Sequence, residues 1–138
     1  MRVLICGDRD WTEKYPIYLT IEALYKKHGD NLVIINGLAR GADSIADEIA
    51  RKFLPDGNVL GFPADWTKYK KAAGPIRNKQ MLIEGQPDLV IAFHQNIEES
   101  KGTKNMVEQS RKASVPVVIL RSQEEAEIFL LASFLSLT

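Results

Sequence analysis

The sequence predicts an α/β fold: a single doubly wound sheet of about five mostly parallel strands, with helices on both faces. Three observations predict it. Short apolar runs and helical patterns alternate from one end of the chain to the other. The runs are mostly β-branched and most lack the polar alternation of a half-exposed strand, as expected of parallel strands buried on both faces. No internal repeat, low-complexity segment or long linker interrupts the alternation, so the 138 residues are expected to form one domain.

Each element has its own justification. Val3–Cys6 is the first strand. Ile17, Ile21, Leu24, Tyr25 and His28 then fall on one helix face, and Gly29-Asp30-Asn31 stops that helix. Leu32–Ile35 is the second strand. Ala42, Ile45, Ala46, Ile49, Ala50 and Phe53 repeat the helical rhythm until Pro55-Asp56-Gly57 turns the chain. Val59–Gly61 is the third strand, and Ile76 to Glu84 a shorter helix closed by Gly85-Gln86-Pro87. Leu89–Phe93 is the fourth strand. Thr103, Met106, Val107, Ser110 and Ser114 mark a weaker helical face before Val115-Pro116, and Val117–Leu120 is the fifth strand. The last helix is expected to begin near Ser122, with Glu124 and Glu125 in the first turn, where the helix dipole favours acids.

Composition excludes several classes. A hydrophobic content of 45% is enough for a sizeable core. Eighteen Lys plus Arg against eighteen Asp plus Glu leave no net positive footprint, which argues against broad nucleic-acid binding. The most apolar stretch, Ile128 to Leu137, is far shorter than the roughly 20 residues of a membrane span. The N-terminus lacks the apolar region of a secretory signal, so the cytosol is the expected compartment. Cys6 alone forms no internal disulfide and no multi-Cys zinc site, and the two histidines, His28 and His94, lie far apart, so neither a metal nor a cofactor is expected.

In sheets of this kind ligands bind beyond the carboxyl ends of the strands. Four strand-end loops carry polar groups: Gly7-Asp8-Arg9-Asp10-Trp11, Asn36 to Asp43, Phe62 to Trp66, and His94 to Lys104. In the second loop Gly37 and Gly41 bracket a tight connection, and the helix begins at once. A glycine there lets a phosphate approach free backbone N–H groups, with Arg40 adding a bidentate contact. A glycine-rich turn with Arg40 in solvent accounts for the pattern equally well. Gly102-Thr103 repeats the arrangement after the fourth strand, where Thr103 either caps the helix or binds a phosphate oxygen. Between Asp65 and Glu84 five basic residues stand beside Trp66 and Tyr69, a mixture that suits a phosphate next to a flat base. Lys70 and Lys71 read best as a solvated face, whereas Arg77 and Asn78, just after Gly74-Pro75, are better site candidates. Asp8, Asp10, Asp43 and Asp65 can each serve as acid, base or ribose-hydroxyl acceptor, and each also has a turn or capping explanation. Cys6 reads as core, and His94 as a strand-end residue without a recognisable partner.

Five motifs in order, Gly7-Asp8-Arg9-Asp10-Trp11, Gly37-Leu38-Ala39-Arg40-Gly41-Ala42-Asp43, Pro63-Ala64-Asp65-Trp66, Gly74-Pro75-Ile76-Arg77-Asn78 and Gly102-Thr103, resemble the YspA-like branch of the SLOG superfamily. That superfamily also holds the Smf/DprA proteins and the LOG phosphoribohydrolases. The resemblance runs from Arg2 to about Leu120 as a family core, leaving 121–138 as a C-terminal helix. It implies a Rossmann-like fold and a nucleotide-type ligand over the strand ends. It also implies that Arg77 matches an essential LOG arginine and that Gly102 and Thr103 match part of the LOG phosphate motif.

One departure bears on chemistry. Met106 stands where the LOG motif has its catalytic glutamate, and Glu108, roughly 200° further around the helix, points elsewhere. N-glycosidic cleavage builds positive charge on the sugar and needs a nearby carboxylate. The favoured expectation is therefore binding of a nucleotide or nucleotide-derived small molecule, as a sensor or sequestering module. Gly7, Arg9, Gly37, Arg40, Gly41, Asp43, Arg77, Asn78, Gly102 and Thr103 would contact the ligand and its phosphate, and Trp11, Trp66 and Asp65 its base or ribose. The alternative is a LOG-like phosphoribohydrolase using Arg77 with Asp65 or Asp8. Single-stranded DNA handling, as in DprA, is a weaker third, and the apolar last helix permits a homo-oligomer.

Overall fold

In the computed structural model, which describes residues 1–135, the chain alternates strand and helix as the sequence predicts. The strands are β1 (Arg2–Gly7), β2 (Val33–Asn36), β3 (Val59–Gly61), β4 (Leu89–Phe93) and β5 (Val117–Leu120). The helices are α1 (Lys14–His28), α2 (Ala42–Phe53), α3 (Trp66–Tyr69), α4 (Ala73–Gly85), α5 (Gly102–Lys112) and α6 (Gln123–Leu135). The strands form one parallel sheet in the order β3-β2-β1-β4-β5. Strand order therefore reverses between β1 and β4, where Gly7 lies in register with Phe93.

Each strand feeds two cores because successive side chains point to opposite faces. From β1, Val3 and Ile5 join Ile17, Ile21, Ile45, Ile49 and Phe93 under α1 and α2, while Leu4 and Cys6 join Met81, Met106 and Val107 under α4 and α5. This two-sided burial is why the strands carry almost no polar residues.

Two element bounds differ from the sequence reading. Helix α4 starts at Ala73, three residues before Ile76, and so carries Pro75 in its first turn. Proline is tolerated there because its missing N–H has no intrahelical partner to lose. The segment after Pro63, read as loop, folds into the four-residue α3, with the Asp65 carboxylate accepting the Lys68 amide 3.0 Å away. Helix α6 begins where expected, with Ser122 Oγ accepting the Glu125 amide. The end of the apolar stretch, residues 136–138, lies outside the described residues. No helix among the described residues is long and apolar enough to cross a membrane.

Candidate functional site

The strand-end loops surround a two-chambered cavity over the β1/β4 reversal, where this topology places ligands. The larger chamber, about 940 Å³, is lined by Gly7, Asp8, Arg9, Arg40, Asp43, Trp66, Arg77, Asn78, His94, Gly102, Thr103 and Met106, among others. A smaller one of about 350 Å³ adjoins it, shares Arg9, Arg40, Trp66 and Arg77, and reaches Gly37 and Pro63. Residues from loops far apart in sequence thus converge on one space. Three site candidates, Trp11, Gly41 and Asp65, line neither chamber.

Each of the three is held by the chain itself. Trp11 was expected to contact base or ribose, but its ring is buried edge-on against Phe93 and its indole N–H donates to the Glu13 carbonyl. The loop turns the ring inward because the Trp11 amide donates to Asp8 O. Asp65 spends one carboxylate oxygen capping α3 and is exposed outside the residues that line the two chambers. At Gly41, φ is +85° and a Cβ would overlap the Asp8 carbonyl oxygen, so glycine is required for the first two loops to pack together.

Asp43 is also committed to the chain. Its Oδ2 accepts the amide of Gly37 at 3.0 Å and, more distantly, that of Ala39, holding the second loop closed. Burial pushes its pKa up to about 6, against the pull of the Arg77 guanidinium and the two amides. Arg77 is itself buried, and burial lowers its pKa. Its Nη1 donates to Gly37 O at 2.6 Å and its Nε to Asn78 Oδ1 at 3.0 Å, while Nη2 has no hydrogen bond among the described residues. Asn78 passes the link on to Asn105 Oδ1 and Gly102 O, tying α4 to the start of α5. Gly37 lies against the Arg77 guanidinium, and Gly7 against the Phe93 carbonyl.

The start of α5 is open. A Cβ on Gly102 would meet nothing within 4 Å. The first turn contains no acidic residue, and the Gly102 and Lys104 amides have no partner among the described residues. The Thr103 amide donates to Ser100 Oγ, while its hydroxyl has no hydrogen bond among the described residues, and the residue lines the larger chamber. Across the cavity Arg9 stacks 5.2 Å over the half-exposed ring of Trp66, and Arg40 bridges to Asp10 at 3.1 Å and to Arg9 O. Met106 is buried and lines the larger chamber with an apolar side chain.

One pair escaped the sequence reading. His94 has no partner recognisable in the sequence, yet its Nε2 lies 4.0 Å from Asp8 Oδ2, both residues lining the larger chamber. Each follows one residue of the registered pair Gly7 and Phe93, so the adjacency of β1 and β4 brings them together. Cys6 is buried beneath the cavity, and burial raises its pKa well above the ordinary thiol value, as for a core residue. Among the described residues no group of three or more His, Cys, Asp or Glu is placed to hold a metal ion.

Comparison with known proteins places this architecture. The gene 61 protein of Mycobacterium phage D29 is 35% identical over 120 residues, covering 85% of this chain and 94% of the relative. Among solved structures, DNA processing protein A from Helicobacter pylori superposes with a TM-score of 0.61 at 22% identity, over 87% of this chain and 65% of that one. Its structure was described for its single-stranded DNA binding mode. DprA from Streptococcus pneumoniae gives a TM-score of 0.65 at 18% identity, over 95% of this chain and 56% of that one. The chain thus spans less than two thirds of either DprA, and at these identities the likeness is one of Rossmann-like fold. The model of the YspA, cpYpsA-related SLOG family matches residues 1–69, half of the sequence, and to that family the chain belongs.

Proposed function

We propose that the chain binds a nucleotide or nucleotide-derived small molecule over the carboxyl ends of its strands and holds it intact, as a sensor or sequestering module. The observation that carries this reading is the open start of α5. Free amides, an unspent Thr103 hydroxyl and the absence of any acid in the first turn make a place for a phosphate. Arg77 Nη2 and Arg40 border the same chamber, and Arg9 with Trp66 offers a flat cationic surface for a base. The magnitudes suffice. A micromolar complex needs about 8 kcal/mol. Charge-assisted hydrogen bonds contribute roughly 1.5–3 kcal/mol each, and stacking about 1–3.

Incubation of the protein with a panel of nucleotides, followed by mass spectrometry of free and retained species, tests the reading. Retention of one species intact, lost in both Arg40→Ala and Thr103→Ala, is the expected result. Unchanged retention in both variants would overturn it.

A second reading, hydrolysis of the N-glycosidic bond, uses Asp8, which borders the larger chamber, or Asp65. It requires release of free base and ribose phosphate, stopped by Asp8→Asn or by Asp65→Asn. Single-stranded DNA is the occupant suggested by the Helicobacter pylori relative, and the exposed Lys68, Lys70, Lys71 and Tyr69 beside Trp66 favour it, while zero net charge weighs against it. A shift of labelled oligonucleotide at physiological salt would establish that reading.

A further inference from the structure

We infer that Asp8 and His94 form a pair that reads a ribose hydroxyl and so sets the sugar specificity of the site, an inference that rests on the nucleotide reading above. Each side chain is pinned until, among the described residues, one of its polar atoms remains without a hydrogen bond. The Asp8 amide donates to Phe93 O, its carbonyl accepts the amides of Trp11 and Ala42, and its Oδ1 accepts the Asp10 amide at 2.9 Å. Among the described residues only the Oδ2 of that carboxylate has no hydrogen bond. The His94 amide donates to Leu120 O, and its Nδ1 accepts the Asn96 amide at 3.0 Å. With Nδ1 serving as acceptor, the neutral ring carries its proton on Nε2. A donor, Nε2–H, therefore faces an acceptor, Oδ2, at the edge of the larger chamber.

Their separation adds a second constraint. At 4.0 Å the two atoms are too far apart for a direct hydrogen bond. They are close enough for one oxygen to sit roughly 2.8 Å from both. That oxygen must accept from Nε2 and donate to Oδ2. A hydroxyl does both. A phosphate oxygen only accepts and is repelled by the carboxylate, so the phosphate is left to α5 and the arginines. The pair lies at the strand-order reversal, and the fixed backbone of both strands holds the spacing.

The experiment measures retention of ribonucleoside monophosphates against their 2′-deoxy and 3′-deoxy counterparts by the wild type, His94→Phe and Asp8→Asn, with melting temperatures to establish folding. The phenylalanine keeps the ring and removes the donor. The asparagine keeps the shape and can present an amide donor where the acceptor was. The expected result is a preference for the ribonucleotide over at least one deoxy form on the order of tenfold or more. In both variants that ratio should fall to within about twofold of parity, a change that mere loosening of the fold does not produce. Equal retention of all three sugars by the wild type overturns the inference and leaves nucleotide binding standing. A preference that persists in both variants also overturns it. Retention of no nucleotide by the wild type overturns this inference and the proposed function together.

Discussion

Two helices of this protein begin with a glycine just after a strand-end loop, α2 at Gly41 and α5 at Gly102, and the two starts are built for different ends. At α2 the glycine answers a demand of the chain. Its φ is +85°, the Asp8–Arg9 backbone lies against it, and Asp8 O takes the Ala42 amide. The first turn also carries its own anion, the buried Asp43 carboxylate. At α5 the glycine meets open space, the first turn holds no acid, and a threonine hydroxyl is left unspent beside a cavity. A glycine-led helix start is therefore not one signal. Where the chain itself fills the space the glycine is architectural, and where it leaves the space open the start is available to a ligand.

Substitutions can break this comparison, and the largest effect should fall at α2. Gly41→Ala combines an unfavourable φ with overlap against backbone and should cost about 3–5 kcal/mol in urea unfolding. Arg77→Met removes two hydrogen bonds from a buried cation and strips Asp43 of its countercharge. It should cost about 2–3 kcal/mol by the same measurement.

Asp43 sharpens the contrast through pH. Its folded pKa of about 6 lies above the ordinary 3.8, so between those values the native state binds more protons than the unfolded one. Its contribution then makes stability fall as pH rises through that window, by on the order of 2–3 kcal/mol. Asp43→Asn should flatten this fall relative to the wild type when urea midpoints are compared from pH 4 to 7. The smallest structural effect belongs to α5. Gly102→Ala should change stability by less than about 1 kcal/mol yet weaken nucleotide retention, the reverse of what Gly41→Ala does.

Much of this architecture was legible in the sequence because it is locally encoded. Burial on both faces writes each parallel strand as a short β-branched run, and the five runs beginning at Val3, Leu32, Val59, Leu89 and Val117 became the five strands within a residue or so at each end. The convergence of the strand-end loops followed from the fold class. What escaped depends on non-local geometry. Trp11 has the composition of a stacking residue, but its direction is set by a loop that turns back onto Asp8 and by a partner, Phe93, from the fourth strand. The pairing of Asp8 with His94 needs the strand order, which no local pattern carries. Asp65 did leave a local sign, an acid three residues before Lys68, and that spacing is the cap of a short helix.

The central claim is that the open start of α5, and not that of α2, holds the phosphate of an intact nucleotide. The most direct test is mass-spectrometric retention of a mixed nucleotide panel by the wild type and by Thr103→Ala, with the melting temperatures of both proteins measured alongside. The account predicts one species retained intact by the wild type and lost from a variant that melts within a few degrees of it. Equal retention by the variant, release of free base with ribose phosphate, or no retained nucleotide at all would contradict it.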